Sequence, residues 1–324
     1  METTDDLEFL VLGPLEVRRG ERVVPVRGWR EHAVLAMLLL ADGETVTVER
    51  LVEAVWDGGP PRGAVKAVRN CVSALRGRIA ESGGPVVPIQ ATPAGYRLPL
   101  EAARLDARDF RRQVDAARRL AGAGRVADAV AGLRAALALW RGPALAGARG
   151  RVARDCAARL DELRMTALED CLELELALGR HRHVIGELQA LARECPLRER
   201  VAGQLMLALY RSGRQAEALD AYLQLAKRLA EGLGIDPAAD IARLHAAILR
   251  QDPSLDLPRS SPAAGRPLGS QPDPRPGPVT PGRRHRNPRS CRRMRRSSPA
   301  VPPNWPACTR GSRPAAGMPA TGTG

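Results

Sequence analysis

Residues 62–79 read RGAVKAVRNCVSALRGRI, and this stretch decides the fold of the first part of the chain. Its larger apolar residues recur every three or four positions, at Val65, Val68, Val72, Leu75 and Ile79. This spacing predicts a helix with one buried stripe. Five of the eighteen residues are basic and none is acidic. On a helical wheel most of these bases fall together beside small outward residues, so the helix has a second, cationic face.

The neighbouring segments predict the domain around this helix. Short strands are expected within 7–26, helices over 29–43 and 48–56, and a hairpin over 86–100 that turns at Pro-Ala-Gly. Strands, three helices and a trailing hairpin are the order of a winged helix-turn-helix. We therefore expect a DNA-binding domain over residues 1–100 whose third helix is the recognition helix.

The cationic face supplies the candidate DNA contacts. Arg62, Lys66, Arg69 and Arg76 share one stripe with Ser73 and would meet phosphates or guanine edges. Asn70 on the outward surface could pair with an adenine edge, and Arg78 adds a cation on the other side. In the hairpin, Arg97 beside Tyr96 would enter a minor groove or bind a phosphate. The alternatives are a solvated charged face and an exposed strand arginine.

A different periodicity governs residues 103–252, where the pattern is helical almost throughout. LGRHRHVIGELQAL at 178–191 aligns with SGRQAEALDAYLQL at 212–225, an offset of 34 residues. A 34-residue helix-turn-helix period is typical of tetratricopeptide repeats. AGRVADAVAGLRAALALW at 123–140 resembles a further unit at irregular spacing. The fold class predicted is thus mainly α with small β: a winged helix-turn-helix, an all-α repeat domain and a tail.

Composition places most of the excess charge in that tail. The chain has 324 residues and a formal net charge of +14, and residues 253–324 contain thirteen arginines against two acids. This Pro/Arg-rich segment has no apolar period, so we expect it to be disordered. Its arginine clusters could bind nucleic acid without sequence preference. There are three other interpretations of this segment: a chain end without function, a truncation of a longer regulator, or an off-frame reading of a GC-rich gene.

Other classes of protein have little support in the sequence. Neither a metal site nor a cofactor is predicted, because no Cys/His cluster has zinc-ligand spacing and the histidines are scattered. No nucleophile motif or P-loop occurs, which argues against an enzyme. The longest apolar run, at 33–41, is too short to span a membrane, and the start lacks a basic signal region. We expect a cytoplasmic protein, with a helical-repeat scaffold without specific DNA binding as the alternative function.

At the level of whole motifs, the chain resembles a known family. Four segments are similar to the OmpR-type winged-helix domain of the Streptomyces antibiotic regulatory protein (SARP) family: FLVLGPLEVRRGERVVPV, ERLVEAVW, GGPPRGAVKAVRNCVSALRGRI and PAGYRL. A longer segment resembles that family's bacterial transcriptional activator domain: LRMTALEDCLELELALGRHRHVIGELQALARECPLRERVAGQLMLALYRSGRQAEALDAY. The resemblance covers roughly residues 7–252. Basic residues usual in the family's recognition helix are replaced here by Ala74 and Gly77.

The resemblance implies a function. It implies a pathway-specific transcriptional activator of an antibiotic gene cluster that binds direct repeats upstream of promoters and contacts RNA polymerase. A homodimer on DNA would be compatible with this role. The resemblance also implies which residues contact DNA: Arg69, Asn70, Ser73 and Arg76 of the third helix, and Thr92, Tyr96 and Arg97 of the wing.

Overall fold

A computed structural model describes residues 7–83, 89–101 and 103–257, and the first part of the chain begins with a four-stranded sheet. The strands lie in the order β3–β2–β1–β7, with β1 antiparallel to β2 and parallel to β7. Their bounds are β1 Leu7–Leu10, β2 Glu16–Arg19, β3 Arg22–Val24 and β7 Ala103–Leu105. Buried and partly exposed residues alternate along β1 and β2, as expected for a sheet with one covered face. The prediction of short strands within 7–26 is confirmed.

Three helices and a small sheet complete the winged unit. The elements are α1 Gly28–Leu40, β4 Val46–Thr47, α2 Val48–Trp56, α3 Ala64–Glu81, β5 Gln90–Thr92 and β6 Gly95–Arg97. The small sheet has the order β4–β6–β5, and the β5–β6 hairpin is the wing. Thr47 caps α2, because its Oγ1 accepts a hydrogen bond of 3.3 Å from the Arg50 amide. The predicted winged helix-turn-helix is confirmed; the part of the hairpin at 86–88 lies outside the described residues.

The rest of the described chain is helical. Its helices are α4 Asp106–Gly122, α5 Val126–Leu137, α6 Arg151–Ala177, α7 His181–Glu194, α8 Glu199–Arg211, α9 Gln215–Leu233 and α10 Ala239–Leu249. A 3₁₀ turn follows at Pro253–Leu255. Helices α6 and α7 form one antiparallel pair and α8 and α9 the next, and α7 and α9 begin 34 residues apart, at His181 and Gln215. The predicted helical repeat is therefore confirmed.

The repeat units share one turn. A Gly-Arg pair follows the first helix of each pair, and Gly124, Gly179 and Gly213 all have φ near +75°. After each glycine the arginine amide donates to a carbonyl five residues earlier, as in Arg180 to Glu175 at 3.0 Å. This is the Schellman arrangement, which needs a left-handed residue that glycine adopts without strain. The matching turn after α4 identifies α4 and α5 as a unit of the same kind.

Several residues assigned to the core by periodicity lie at the surface instead. Val65 is 43% exposed, since it stands on the first turn of α3 beside the open loop at 57–63. The helical spacing within 103–252 predicts that Leu163 and Leu223 belong to the core as well, but they are 40% and 60% exposed. A wheel places a residue on an apolar side of its helix, but burial also needs a neighbouring helix on that side.

The two regions are packed together. The β7 strand, which follows residue 100, pairs with β1, and the Asp106 carboxylate accepts hydrogen bonds from the Val11 and Leu12 amides. One hydrophobic core extends from Leu7 to Cys171 and so includes parts of both regions. The predicted disordered tail, 253–324, lies outside the described residues except for 253–257, which include a short 3₁₀ turn. There Arg211 donates to the Leu255 carbonyl at 2.8 Å and fixes the 3₁₀ turn.

Candidate nucleic-acid interface

Helix α3 has one buried side and one exposed polar side, as its sequence predicts. Val68, Val72, Leu75 and Ile79 are at most 2% exposed and contact α1 and α2. The opposite side carries exposed residues with short or cationic side chains: Arg62 just before the helix, then Lys66, Arg69, Asn70 and Ser73. The helix therefore presents a narrow polar ridge that could approach a polyanion closely.

The cations of this ridge lack internal counter-charges. Within the residues that the structure describes, Arg62, Lys66 and Arg69 form no ion pair, and the first turn of α3 contains no acid. An unpaired guanidinium or ammonium group keeps all of its donors for an external acceptor such as a phosphate oxygen. The ridge is thus a ready anion-binding surface.

Arg76 connects the recognition helix to the wing. Its Nε donates a 2.6 Å hydrogen bond to the Ile89 carbonyl, and its guanidinium lies 5.8 Å from the centre of the Tyr96 ring. The side chain is partly buried by these contacts. Arg76 therefore holds the hairpin against the second half of α3, so that the ridge and the wing form one continuous surface.

The wing itself is built around a tight turn. The Gly95 amide donates to Thr92 Oγ1 at 3.1 Å and closes the turn. A Cβ at Gly95 would lie 2.0 Å from the Val46 carbonyl oxygen, so only glycine lets β6 pair closely with β4. Arg97 is exposed and donates to Gln90 Oε1 at 2.8 Å across the hairpin. Tyr96 thus lies against Arg76 of α3, and Thr92 and Arg97 belong to the same hairpin.

Arg78 lies apart from this surface and has a different partner. Both of its terminal nitrogens contact the Glu31 carboxylate of α1, one of them at 2.8 Å, and it is only 18% exposed. Burial on its own would raise the pKa of Glu31, but hydrogen bonds from Arg78 and from the Arg27 amide outweigh it and lower that pKa. Arg78 therefore fastens α3 to α1. Sequence reasoning missed Glu31, because its burial, which marks a carboxylate as paired, is visible only in the structure.

No described part of the molecule offers a metal centre or a membrane span. Across 7–83, 89–101 and 103–257, no group of three His, Cys, Asp or Glu side chains is placed to hold a metal ion. In the same ranges no helix combines the length and the apolarity that crossing a bilayer requires.

The fold and this surface define a class, the winged helix-turn-helix regulators that carry a helical-repeat domain. Residues 28–98 match the family model described as "Transcriptional regulatory protein, C terminal", and residues 105–249 match "Bacterial transcriptional activator domain". The chain is 34% identical to the regulatory protein DnrI of Streptomyces peucetius over 259 residues, which cover 77% of this chain and 94% of DnrI. The chain belongs to the SARP family of transcriptional regulators.

A larger relative and a solved relative match comparable shares of the chain. The regulatory protein AfsR of Streptomyces griseus is 38% identical over 264 residues, which are 81% of this chain but 26% of AfsR. The chain thus spans about a quarter of AfsR. The structure of Mycobacterium tuberculosis EmbR in complex with a low-affinity phosphopeptide superposes with a TM-score of 0.73 at 39% identity, covering 76% of this chain and 66% of EmbR.

Proposed function

We propose that this chain is a sequence-specific DNA-binding activator of a secondary-metabolite (antibiotic) gene cluster. It binds direct repeats in promoters with α3 and the wing, and it contacts RNA polymerase. It acts in the cytoplasm, and two copies bind DNA together. The observation that carries the proposal is the ridge of unpaired cations on α3, held in one surface with the wing by Arg76.

The ridge and the wing divide the recognition of DNA between them. Arg62, Lys66 and Arg69 neutralise phosphates or pair with guanine edges, and Asn70 reads an adenine in the major groove. The short Ser73 side chain lets the helix lie deep in that groove. Arg97 reaches a phosphate or the minor groove once its hydrogen bond to Gln90 is replaced by a contact with DNA. Arg76 contributes through the wing, and Arg78 is left out because Glu31 already occupies its guanidinium.

Membership of the family supports the activator role. The relatives include proteins named as regulatory proteins and transcriptional regulators, and the repeat region matches a transcriptional activator domain. The repeat helices offer an extended protein-binding surface for RNA polymerase. No cofactor is needed for either step.

The experiment is a footprint on the DNA that flanks the chain's own gene, with a chain ending at residue 257. The arginine clusters beyond that point are removed because they would bind any duplex. We expect a protected direct repeat that survives excess random competitor DNA. Arg69→Ala should lower affinity by about 5–100-fold with no change in melting, whereas the exposed Arg119→Ala on α4 should change neither. No retention on any duplex at low salt would favour the protein-binding scaffold instead.

A further inference from the structure

Helix α9 has two apolar stripes, of which the repeat core uses one. Ala218, Leu225 and Leu229 are at most 2% exposed and face the core. About a quarter-turn away runs a second stripe with alternating steps of three and four residues, which consists of Ala216, Leu219, Leu223, Ala226, Ala230 and Leu233. Leu223 is 60% and Leu233 58% exposed. A 3.5-residue repeat of this kind is the seam by which one helix pairs with another.

Most of the second stripe has no cover in the described part of the chain: Ala216, Leu223, Ala230 and Leu233 are exposed, whereas Leu219 and Ala226 are half-buried. Helix α10 packs along one edge of the stripe, where the Tyr222 ring stacks on His245 with 3.9 Å between ring centres and Gln215 donates to the Ile248 carbonyl. Terminal elements of repeat arrays need a polar outer face for solubility, and α9 presents leucines there instead. The stripe is therefore suited to a partner helix of matching shape.

We propose that the partner is α9 of a second copy of this chain, packed antiparallel about a two-fold axis that passes between positions 224 and 225. In that arrangement every leucine of the stripe meets an alanine of the other copy. The contacts are Leu223 with the partner's Ala226, Leu219 with the partner's Ala230 and Leu233 with the partner's Ala216. Alternating large and small side chains across an interface fills space evenly. A parallel, in-register pair would set leucine on leucine and leave gaps between alanines.

The charges beside the stripe complement each other in the same arrangement. Asp220 and Lys227 lie on the same edge of the stripe, and both are exposed. The two-fold axis brings Asp220 of one copy near Lys227 of the other, twice in each dimer. Lys227 can change partners easily, because its contact with Glu231 is 3.8 Å long and both side chains are well exposed. Charge and shape therefore select the same pairing.

The symmetry of this pair has a consequence for DNA. A two-fold axis relates the two DNA-binding domains by rotation, whereas the sites of a direct repeat are related by translation. The α9 pair would therefore join two copies that are bound to separate direct repeats. It would not join the two neighbouring copies on the two sites of one direct repeat. Self-association through α9 goes beyond the DNA-binding proposal and does not depend on it, since it takes place without DNA.

Sedimentation equilibrium of the full chain in reducing buffer without DNA tests the surface. We expect a reversible monomer–dimer equilibrium. Leu223→Asp should raise the dissociation constant by about 100-fold or more, because the aspartate would lie at the centre of an apolar interface. The matched control is Leu197→Asp, since Leu197 is 43% exposed between α7 and α8 and lies outside the stripe. It should dimerise like the wild type.

A charge exchange tests the antiparallel register. Asp220→Lys or Lys227→Asp alone should weaken the dimer by about 10-fold, because each places two like-charge contacts in the dimer. The double variant D220K/K227D should recover to within about threefold of the wild type, since both contacts regain opposite charges. A wild-type chain that stays monomeric, an unaffected Leu223→Asp variant or a double variant without recovery would overturn the proposal. Affinity for a duplex with a single site should stay unchanged in Leu223→Asp, so that this test and the DNA-binding test can fail separately.

Discussion

The arginines of the recognition helix and those of the repeat helices differ in what lies beside them. Just before α8, Arg198 contacts both Glu162 and Glu169, the second of which is 3% exposed. On α3, Lys66 and Arg69 have no carboxylate partner among the described residues. Both stretches are rich in arginine, so composition does not separate them. A cationic stripe is free for an external polyanion only where the fold supplies no acid of its own.

Arg78 shows how narrow the difference is. It stands two residues after Arg76 on the same helix, yet Glu31 takes both of its terminal nitrogens. Arg76 instead donates to a backbone carbonyl of the wing and keeps its charge uncompensated. A single acid on α1 thus turns one arginine of the recognition helix into a structural residue.

The largest effect should come from breaking the buried side of α3. Val72 is 1% exposed, and an aspartate there would place an unpaired charge in the core. We expect Val72→Asp to cost more than about 4 kcal/mol and to unfold the winged-helix region. Circular dichroism melting measures this. The adjacent Ser73→Asp is the control: it should melt like the wild type and lose DNA affinity, because Ser73 is exposed on the ridge.

Arg198→Ala should have the next largest effect, and it should act on stability alone. The change leaves the buried Glu169 with a single contact to Arg200 at 3.5 Å. Breaking a buried pair from one side costs about 3 kcal/mol. Chemical denaturation should therefore show a lower midpoint, while the folded protein keeps its affinity for DNA. Arg214→Ala, which breaks an exposed pair with Glu217, should leave the midpoint where it is.

Asn70→Ala tests the specificity of the ridge and not its charge. If Asn70 pairs with an adenine, its loss should cost about 1–3 kcal/mol of binding on the preferred sequence. The variant should then no longer discriminate against a duplex in which that adenine is replaced. Competition binding with the two duplexes measures the ratio. A variant that still discriminates as well as the wild type would place the base contact elsewhere.

The smallest effect concerns pH and the Glu31–Arg78 pair. The folded protein lowers the pKa of Glu31, so the pair's contribution to stability is present above the unfolded pKa of about 4.3 and is lost as pH falls through the lower folded pKa. Wild-type stability should therefore decline more steeply below about pH 4 than that of Glu31→Gln. Denaturation midpoints of the two proteins, measured from roughly pH 3 to 7, give both curves. Parallel curves would show that the pair does not contribute.

The sequence predicted the elements well because they depend on local patterns. The valine spacing placed the third helix at 62–79, and the structure has it at Ala64–Glu81. The 34-residue offset located the repeats, since each aligned segment begins with a Gly-Arg turn that needs a left-handed residue. The Pro-Ala-Gly turn of the wing is local in the same sense.

The contacts between distant residues could not be predicted from such patterns. Glu31 and Arg78 are 47 residues apart, and nothing in the periodicity of either helix selects the other. The pairing of β7 with β1 joins strands separated by the whole winged-helix region. Leu223 looked like a core residue because a wheel cannot show that α9 lacks a neighbour on that side.

The salt dependence of DNA binding by the triple variant R62A/K66A/R69A tests the central claim most directly. Each phosphate neutralised contributes a slope of about −0.9 to the plot of log affinity against log salt. With chains ending at residue 257, the triple variant should show a slope shallower than the wild type by about 2–3, with the same melting temperature. An unchanged slope and affinity would contradict the assignment of the α3 ridge as the DNA-binding surface.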